Sequence, residues 1–163
     1  MINEIQTGYL PPFESTVINS DSRSERNGLE LSLHSQLTDS LSASGAYTYL
    51  DASESDISGN NRSEIRRPNH QWSGQVNYSF MADKANLNVT INHIGDRKDI
   101  DFSTGDRLTL DRYTLVNVAM NYQFNDALRI FSRINNLLDE EYQDVFGFET
   151  GEFSGLIGIE LRL

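Results

Sequence analysis

Gln71-Trp72-Ser73-Gly74-Gln75-Val76-Asn77-Tyr78-Ser79-Phe80 alternates without a break: Trp72, Gly74, Val76, Tyr78 and Phe80 fall on one phase, and Gln71, Ser73, Gln75, Asn77 and Ser79 on the other. Period two is the signature of a β-strand, whose successive side chains point to opposite faces. The pattern continues in both directions. Leu29, Leu31, Leu33 and Leu37 oppose Glu30, Ser32, His34 and Gln36, and Leu41, Ala43, Gly45, Tyr47 and Tyr49 oppose Ser42, Ser44 and Thr48. Leu87, Val89 and Ile91 alternate with asparagine and threonine, and Val116, Val118, Met120, Tyr122 and Phe124 oppose Asn117, Asn121 and Gln123. Leu128, Ile130 and Ile134, then Ile157, Ile159 and Leu161, complete the series. With a further strand expected near Ile2 to Thr7, the reading is all-β: an antiparallel up-and-down meander of about eight strands.

The connections alternate in length. Short turns fall near residues 38–40, 83–84 and 125–127, and long polar loops near 8–22, 51–68, 96–111 and 137–151. Residues that face each other across a ladder must share a face, so parity predicts the registers. A two-residue Asp83-Lys84 turn sets Phe80 opposite Leu87, Tyr78 opposite Val89 and Val76 opposite Ile91. Three-residue turns set Leu37 opposite Leu41 and Leu31 opposite Tyr47 through Thr38-Asp39-Ser40, and Tyr122 opposite Ile130 through Asn125-Asp126-Ala127.

The 163 residues are 37% hydrophobic, with a mean hydropathy of -0.49 and a net charge of -11. That charge argues against a nucleic-acid partner, which needs a cationic footprint. Without cysteine there is no disulfide framework, thiolate metal site or cysteine nucleophile. No 18-residue apolar run and no secretory leader are visible, yet a membrane β-barrel averages out as hydrophilic because lumen-facing residues alternate with lipid-facing ones. Charge placement favours such a barrel over a soluble one. Segments 41–50, 71–80, 86–95 and 113–124 hold no Asp, Glu, Lys or Arg, while sixteen of the 24 acidic residues sit in the four long loops. Tyr47, Tyr49, Trp72, Phe80, Tyr122 and Phe124 fit interfacial girdles.

Asn135-Asn136-Leu137-Leu138-Asp139-Glu140-Glu141-Tyr142 resembles the N-L-F-D-x-x-Y signature of TonB-dependent outer-membrane receptors. Arg66-Arg67-Pro68-Asn69-His70 resembles that family's R-x-P-x-H strand lead-in, and Gly28-Leu29-Glu30 its G-x-E strand start. Ile94 to Phe102, Leu110 to Val116 and Tyr142 to Gly151 are most similar to the vitamin B12 (cobalamin) receptors within the family. Two departures stand out: the chain ends on Leu163 where the family has an aromatic residue, and Thr150-Gly151-Glu152 replaces Thr-Pro-Gly-Arg. The resemblance implies that residues 1–163 are the C-terminal part of a receptor barrel in the Gram-negative outer membrane, with plug domain and earlier strands absent. It implies uptake of cobalamin or a ferric siderophore, with no activity for this chain alone. The implied partners are outer-membrane lipid, the plug and remaining barrel strands, TonB through the plug region, and a small-molecule nutrient. A free-standing eight-stranded outer-membrane protein is the alternative.

No enzyme is expected, because no G-x-S-x-G or comparable nucleophile motif occurs, and an outer-membrane hydrolase is the weaker rival. No cofactor is implied. His34, His70 and His93 lie on separate strands, and Asp96, Asp99, Asp101 and Asp106 lack the spacing of a calcium loop. Arg129, Arg133, Glu30 and His34 lie on polar faces, where they would meet a plug. Ligand contacts are expected from the long loops, at Arg97, Asp99, Asp101, Tyr142 and Phe148.

Overall fold

A computed structural model describes residues 5–10, 14–19, 23–55 and 59–162. Seven antiparallel strands form one continuous ladder: β3 (Ser24–Thr38), β4 (Leu41–Ser55), β6 (His70–Phe80), β7 (Ala85–Ile94), β10 (Tyr113–Gln123), β11 (Leu128–Asn135) and β12 (Ser154–Leu161). Each pairs with its neighbour in this order, and β5 (Asn61–Ser63) adds to β4 as an eighth strand. The sheet is an open arc whose ends are β3 and β12.

Two of the expected loops contain hairpins. β1 (Ile5–Leu10) pairs β2 (Glu14–Asn19), so the strand expected near Ile2 to Thr7 lies in a separate two-stranded sheet, and residues 2–4 are outside the described residues. β8 (Arg97–Ile100) pairs β9 (Arg107–Leu110) inside the expected 96–111 loop. Polar residues on both faces of these hairpins remove the apolar alternation by which strands are recognised.

The expected registers hold at the Asn125–Ala127 turn, hold in part at the Thr38–Ser40 turn and shift by two at the third. Tyr122 pairs Ile130, and the Asn125 side chain accepts the Ala127 and Leu128 amides at 2.9 Å, closing the three-residue turn. Leu31 pairs Tyr47 as expected, but a bulge between Gln36 and Thr38 ejects Leu37 from the ladder and leaves Thr38 opposite Leu41. Between β6 and β7 the loop is four residues, Met81–Lys84, with Met81, Ala82 and Asp83 all left-handed (φ 57, 53 and 63°). Phe80 therefore pairs Ala85, Tyr78 pairs Leu87 and Val76 pairs Val89, two residues out from the expected register. A shift of two preserves the face, so hydrophobic patterning cannot sense it. Size can: Ala85 also faces Tyr122 and is fully buried between two rings.

Nothing among the described residues covers the apolar face. Among the described residues, the buried apolar side chains are Ala52, Ala85, Leu110 and Tyr113, whereas Val76 and Tyr78 remain 42% and 43% exposed although neighbouring strands flank β6 on both sides. A soluble sheet covers this face; a membrane barrel turns it to lipid. Aromatic groups gather at both ends of the face. Tyr47, Tyr49, His70, Trp72 and His93 stack near the long loops, and Tyr78 with Phe80 and Tyr122 with Phe124 near the short turns. On the opposite, polar face Arg129 bonds Asn121 (2.7 Å) and Glu160 (3.3 Å), so its charge is compensated within the wall.

The tip of the Phe131 ring lies over Gly158 on that polar face, so a Cβ at 158 would clash with it. Gly158→Val must displace the ring and is expected to cost about 1–3 kcal/mol, measured as a lower urea midpoint for the barrel in lipid vesicles, with Ser154→Val as the exposed control.

Candidate functional site

The site is built where the long loops meet. In β8 the strand alternation that exposes Lys98 buries Arg97 and Asp99, so both aim at the 136–153 loop. Asp99 is fully enclosed. One carboxylate oxygen accepts Arg66 Nε (2.9 Å) and the Ile100 amide (2.9 Å), and the other accepts the Phe146 amide (2.8 Å). Burial pushes this carboxyl up, but the Phe146 and Ile100 amides and the Arg66 guanidinium together outweigh it and hold it below the usual aspartate range. Arg66 also donates its backbone amide to Lys98, and its guanidinium lies 5.3 Å from the Phe102 ring centre.

Arg97 makes the second anchor. Its guanidinium donates to the Gln143 carbonyl and reaches Asp144 at 3.3 Å, and it sits 5.2 Å from the Tyr113 ring centre. The Tyr113 hydroxyl donates to the same Asp144 oxygen at 2.6 Å, and its ring packs on Tyr142 at 4.4 Å. A third tie runs to the β4–β5 hairpin, where Arg107 and Arg62 share Glu54 at 3.3 and 2.9 Å.

The motif at 135–142 anchors the last loop at both ends. Asn136, left-handed at φ 50° and buried, accepts the Glu140 amide (2.9 Å) and donates to the carbonyls of Glu140 (3.0 Å) and Gly151 (3.3 Å). Asp139 accepts the Phe153 amide at 2.9 Å. The acidic run is therefore a turn that closes the loop, and Thr150 seals it further by donating to the Tyr142 carbonyl at 2.5 Å.

Between the Leu108–Arg112 segment and this loop lies an open cleft of about 950 Å³. Tyr142 and Phe146 give it aromatic walls, and Asp111, Glu140, Glu141, Glu149 and Glu152 outnumber Arg112 around it. The five expected contact residues separate here. Arg97, Asp99 and Tyr142 come together. Arg97 and Asp99 lie inside the anchors with their polar groups turned to protein, while half-buried Tyr142 borders the cleft. Asp101 caps its own turn through Ser103, and Phe148 stands apart, 65% exposed. The expected contact residues did not include Arg66, Tyr113 or Asp144. Arg66 opens the Arg66–His70 motif, Tyr113 is an aromatic on the polar phase of its strand, and Asp144 lies in the Tyr142–Gly151 segment, but none of these signals implied the contacts the three residues make.

Asp99→Asn is expected to loosen the loops: exchange of the Ile100 and Phe146 amides should rise about tenfold, a loss near 1.4 kcal/mol. Because the folded carboxyl titrates below its unfolded value, the stability it contributes is complete above the ordinary aspartate range and is lost as pH falls through the folded value. The same two amides should lose protection over that acid window in the parent protein and show no such step in Asp99→Asn, read by hydrogen exchange corrected for the intrinsic rate.

The sequence and the fold were compared with known proteins. The family model described as TonB dependent receptor-like, beta-barrel, matches residues 2–137. Vitamin B12 transporter BtuB of Vibrio vulnificus is 42% identical over 79 residues, covering 48% of this chain and 12% of that protein. Metal-pseudopaline receptor CntO of Pseudomonas aeruginosa is 27% identical over 140 residues, covering 82% of this chain and 19% of that protein. Among solved structures, P. aeruginosa FpvA bound to a heterologous pyoverdine superposes with a TM-score of 0.76 at 18% identity, over 98% of this chain and 23% of that one. The E. coli ferric-catecholate import receptor Fiu does so at 0.74 and 18%, over 98% and 23%. The chain thus spans about an eighth of the B12 transporter and a quarter of the structural neighbours. With a wall that is apolar towards lipid, loops laced at one end and a family match over most of its length, the chain belongs to the TonB-dependent receptor β-barrel family of the Gram-negative outer membrane.

Proposed function

We propose that this chain is the C-terminal barrel portion of an outer-membrane receptor that takes up a small-molecule nutrient. The observation that supports it best is the cleft held open by the Arg97 and Asp99 anchors at the long-loop end of a lipid-facing wall. The family is one of receptors and transporters rather than enzymes, and no catalytic step is assigned to this chain. Cobalamin is the first substrate, on the likeness to BtuB; a ferric siderophore is the second, on the likeness to CntO over a longer stretch. In this reading residues 1–163 form one wall of the barrel, completed by further strands and a plug through which TonB acts. The Arg133 and Glu30 side chains face the lumen and meet that plug.

Within this function the loop residues divide into two roles. Tyr142 and Phe148 present aromatic surface to the nutrient, and Asp101 shapes the neighbouring turn. Arg97 and Asp99 act indirectly by holding the loops. In a receptor-deficient strain, the receptor carrying this segment should restore uptake of radiolabelled cyanocobalamin. Restoration by a ferric siderophore alone would establish the second reading, and uptake of neither would reject the function. Tyr142→Ala should weaken nutrient binding about tenfold, as loss of an aromatic anchor does, whereas Glu141→Gln beside it should change binding less than about twofold.

A further inference from the structure

The lipid-facing side of the sheet carries a notch that neither the loops nor the uptake function uses. Its central row reads Leu33, Gly45, Gly74, Ile91 across β3, β4, β6 and β7. The row on the short-turn side is Ser35, Ala43, Val76, Val89, and the row on the long-loop side is Leu31, Tyr47, Trp72, His93. Two glycines directly opposite each other in central strands are unfavourable, because they pack nothing and weaken the ladder; such positions recur where another group approaches the backbone closely. Gly74 has a local reason, since a Cβ there would meet Ile91 Cγ2 at 3.1 Å. Gly45 has none: an added Cβ would find only the Ser73 carbonyl, at an ordinary 3.5 Å. The space above Gly45 is a groove of about 500 Å³ bordered by Leu31, Leu33, Ser35, Leu37, Ala43 and Tyr47.

Its shape has a direction. Leu37 and Ala43 border it at the short-turn end and Tyr47 at the long-loop end, where the Tyr47 hydroxyl lies 2.8 Å from His70 Nδ1. Among the described residues, no charged side chain lines it. The groove is continuous with the face that lies against lipid, so its occupant comes from the bilayer. Its lining extends from Tyr47 to Leu37 on the short-turn side, which in an outer-membrane barrel faces the periplasm, and the leaflet on that side is glycerophospholipid. We propose that this groove is a binding site for one acyl chain of a glycerophospholipid of the periplasmic leaflet, with Gly45 as its floor and Tyr47 as its stop.

The test uses the complete receptor that carries this segment. It is purified from outer membranes, delipidated by detergent washing and examined by native mass spectrometry, and in parallel placed in phosphatidylethanolamine–phosphatidylglycerol vesicles containing phosphatidylethanolamine spin-labelled near the chain end. The parent should retain one phospholipid per barrel and show a motionally restricted lipid component. Gly45→Leu fills the groove and should reduce retention about tenfold, with Gly45→Ala intermediate, while heat-modifiable gel mobility shows both barrels folded. Leu33→Ala, which opens one side, should also reduce retention. Should Gly45→Leu fail to fold, Gly45→Ala and Leu33→Ala decide the outcome. Equal retention by parent and variants, no retained lipid in the parent, or retention of lipopolysaccharide in place of phospholipid would each overturn the assignment.

Discussion

A backbone amide or carbonyl that faces hydrocarbon finds no water to bond, and leaving it unpaired costs several kcal/mol. Every other feature of this wall follows from that constraint. The chain meets it with an antiparallel ladder, and the ladder's period of two sends one set of side chains to lipid and the other to the lumen. Hence the same residues yield a negative mean hydropathy and an almost uninterrupted apolar face. The short turns are tied into the ladder as well: Ser79 donates to Ser40, Gln123 to Lys84, and Arg162 to Ala127, so pairing continues to the edge of the sheet.

Beyond the membrane the constraint is released and charge takes over the work of holding shape. Asp99, Glu64 and Arg97 are buried in the loops, and each lies within hydrogen-bonding reach of partners from other segments. Removing one partner of such a group leaves the other uncompensated, which is far more costly than the net worth of the pair. A handful of these contacts can therefore hold long polar loops that have almost no apolar core. The resulting anchors hold a cleft open between two segments, Leu108–Arg112 and Glu140–Glu152, that lie far apart in sequence.

The strand faces, the strand order and the short-turn end were all legible from alternation, because burial in lipid punishes a one-residue slip at every position along a strand. A two-residue slip goes unpunished, and there the expected Asp83-Lys84 turn gave way to the four-residue Met81–Lys84 loop. What discriminates is the volume of one residue, Ala85, between Phe80 and Tyr122. The β8–β9 hairpin escaped notice for a related reason: strands without an apolar face have no alternation to read. Among the expected contact residues, sequence could not separate Arg97 and Asp99, whose groups turn inward, from Tyr142 and Phe148, which are accessible.

Sequence by itself determined the β architecture, the lipid-facing phase of each strand, the position of the charged loops and the family resemblance, since each depends on local periodicity or on a contiguous motif. Tertiary structure alone decided the registers at two turns, the convergence of Arg66, Asp99 and Phe146, the sharing of Asp144 by Arg97 and Tyr113, and the notch over Gly45. Those features join residues from different strands and loops, and their energies depend on distances and volumes that no spacing along one segment encodes.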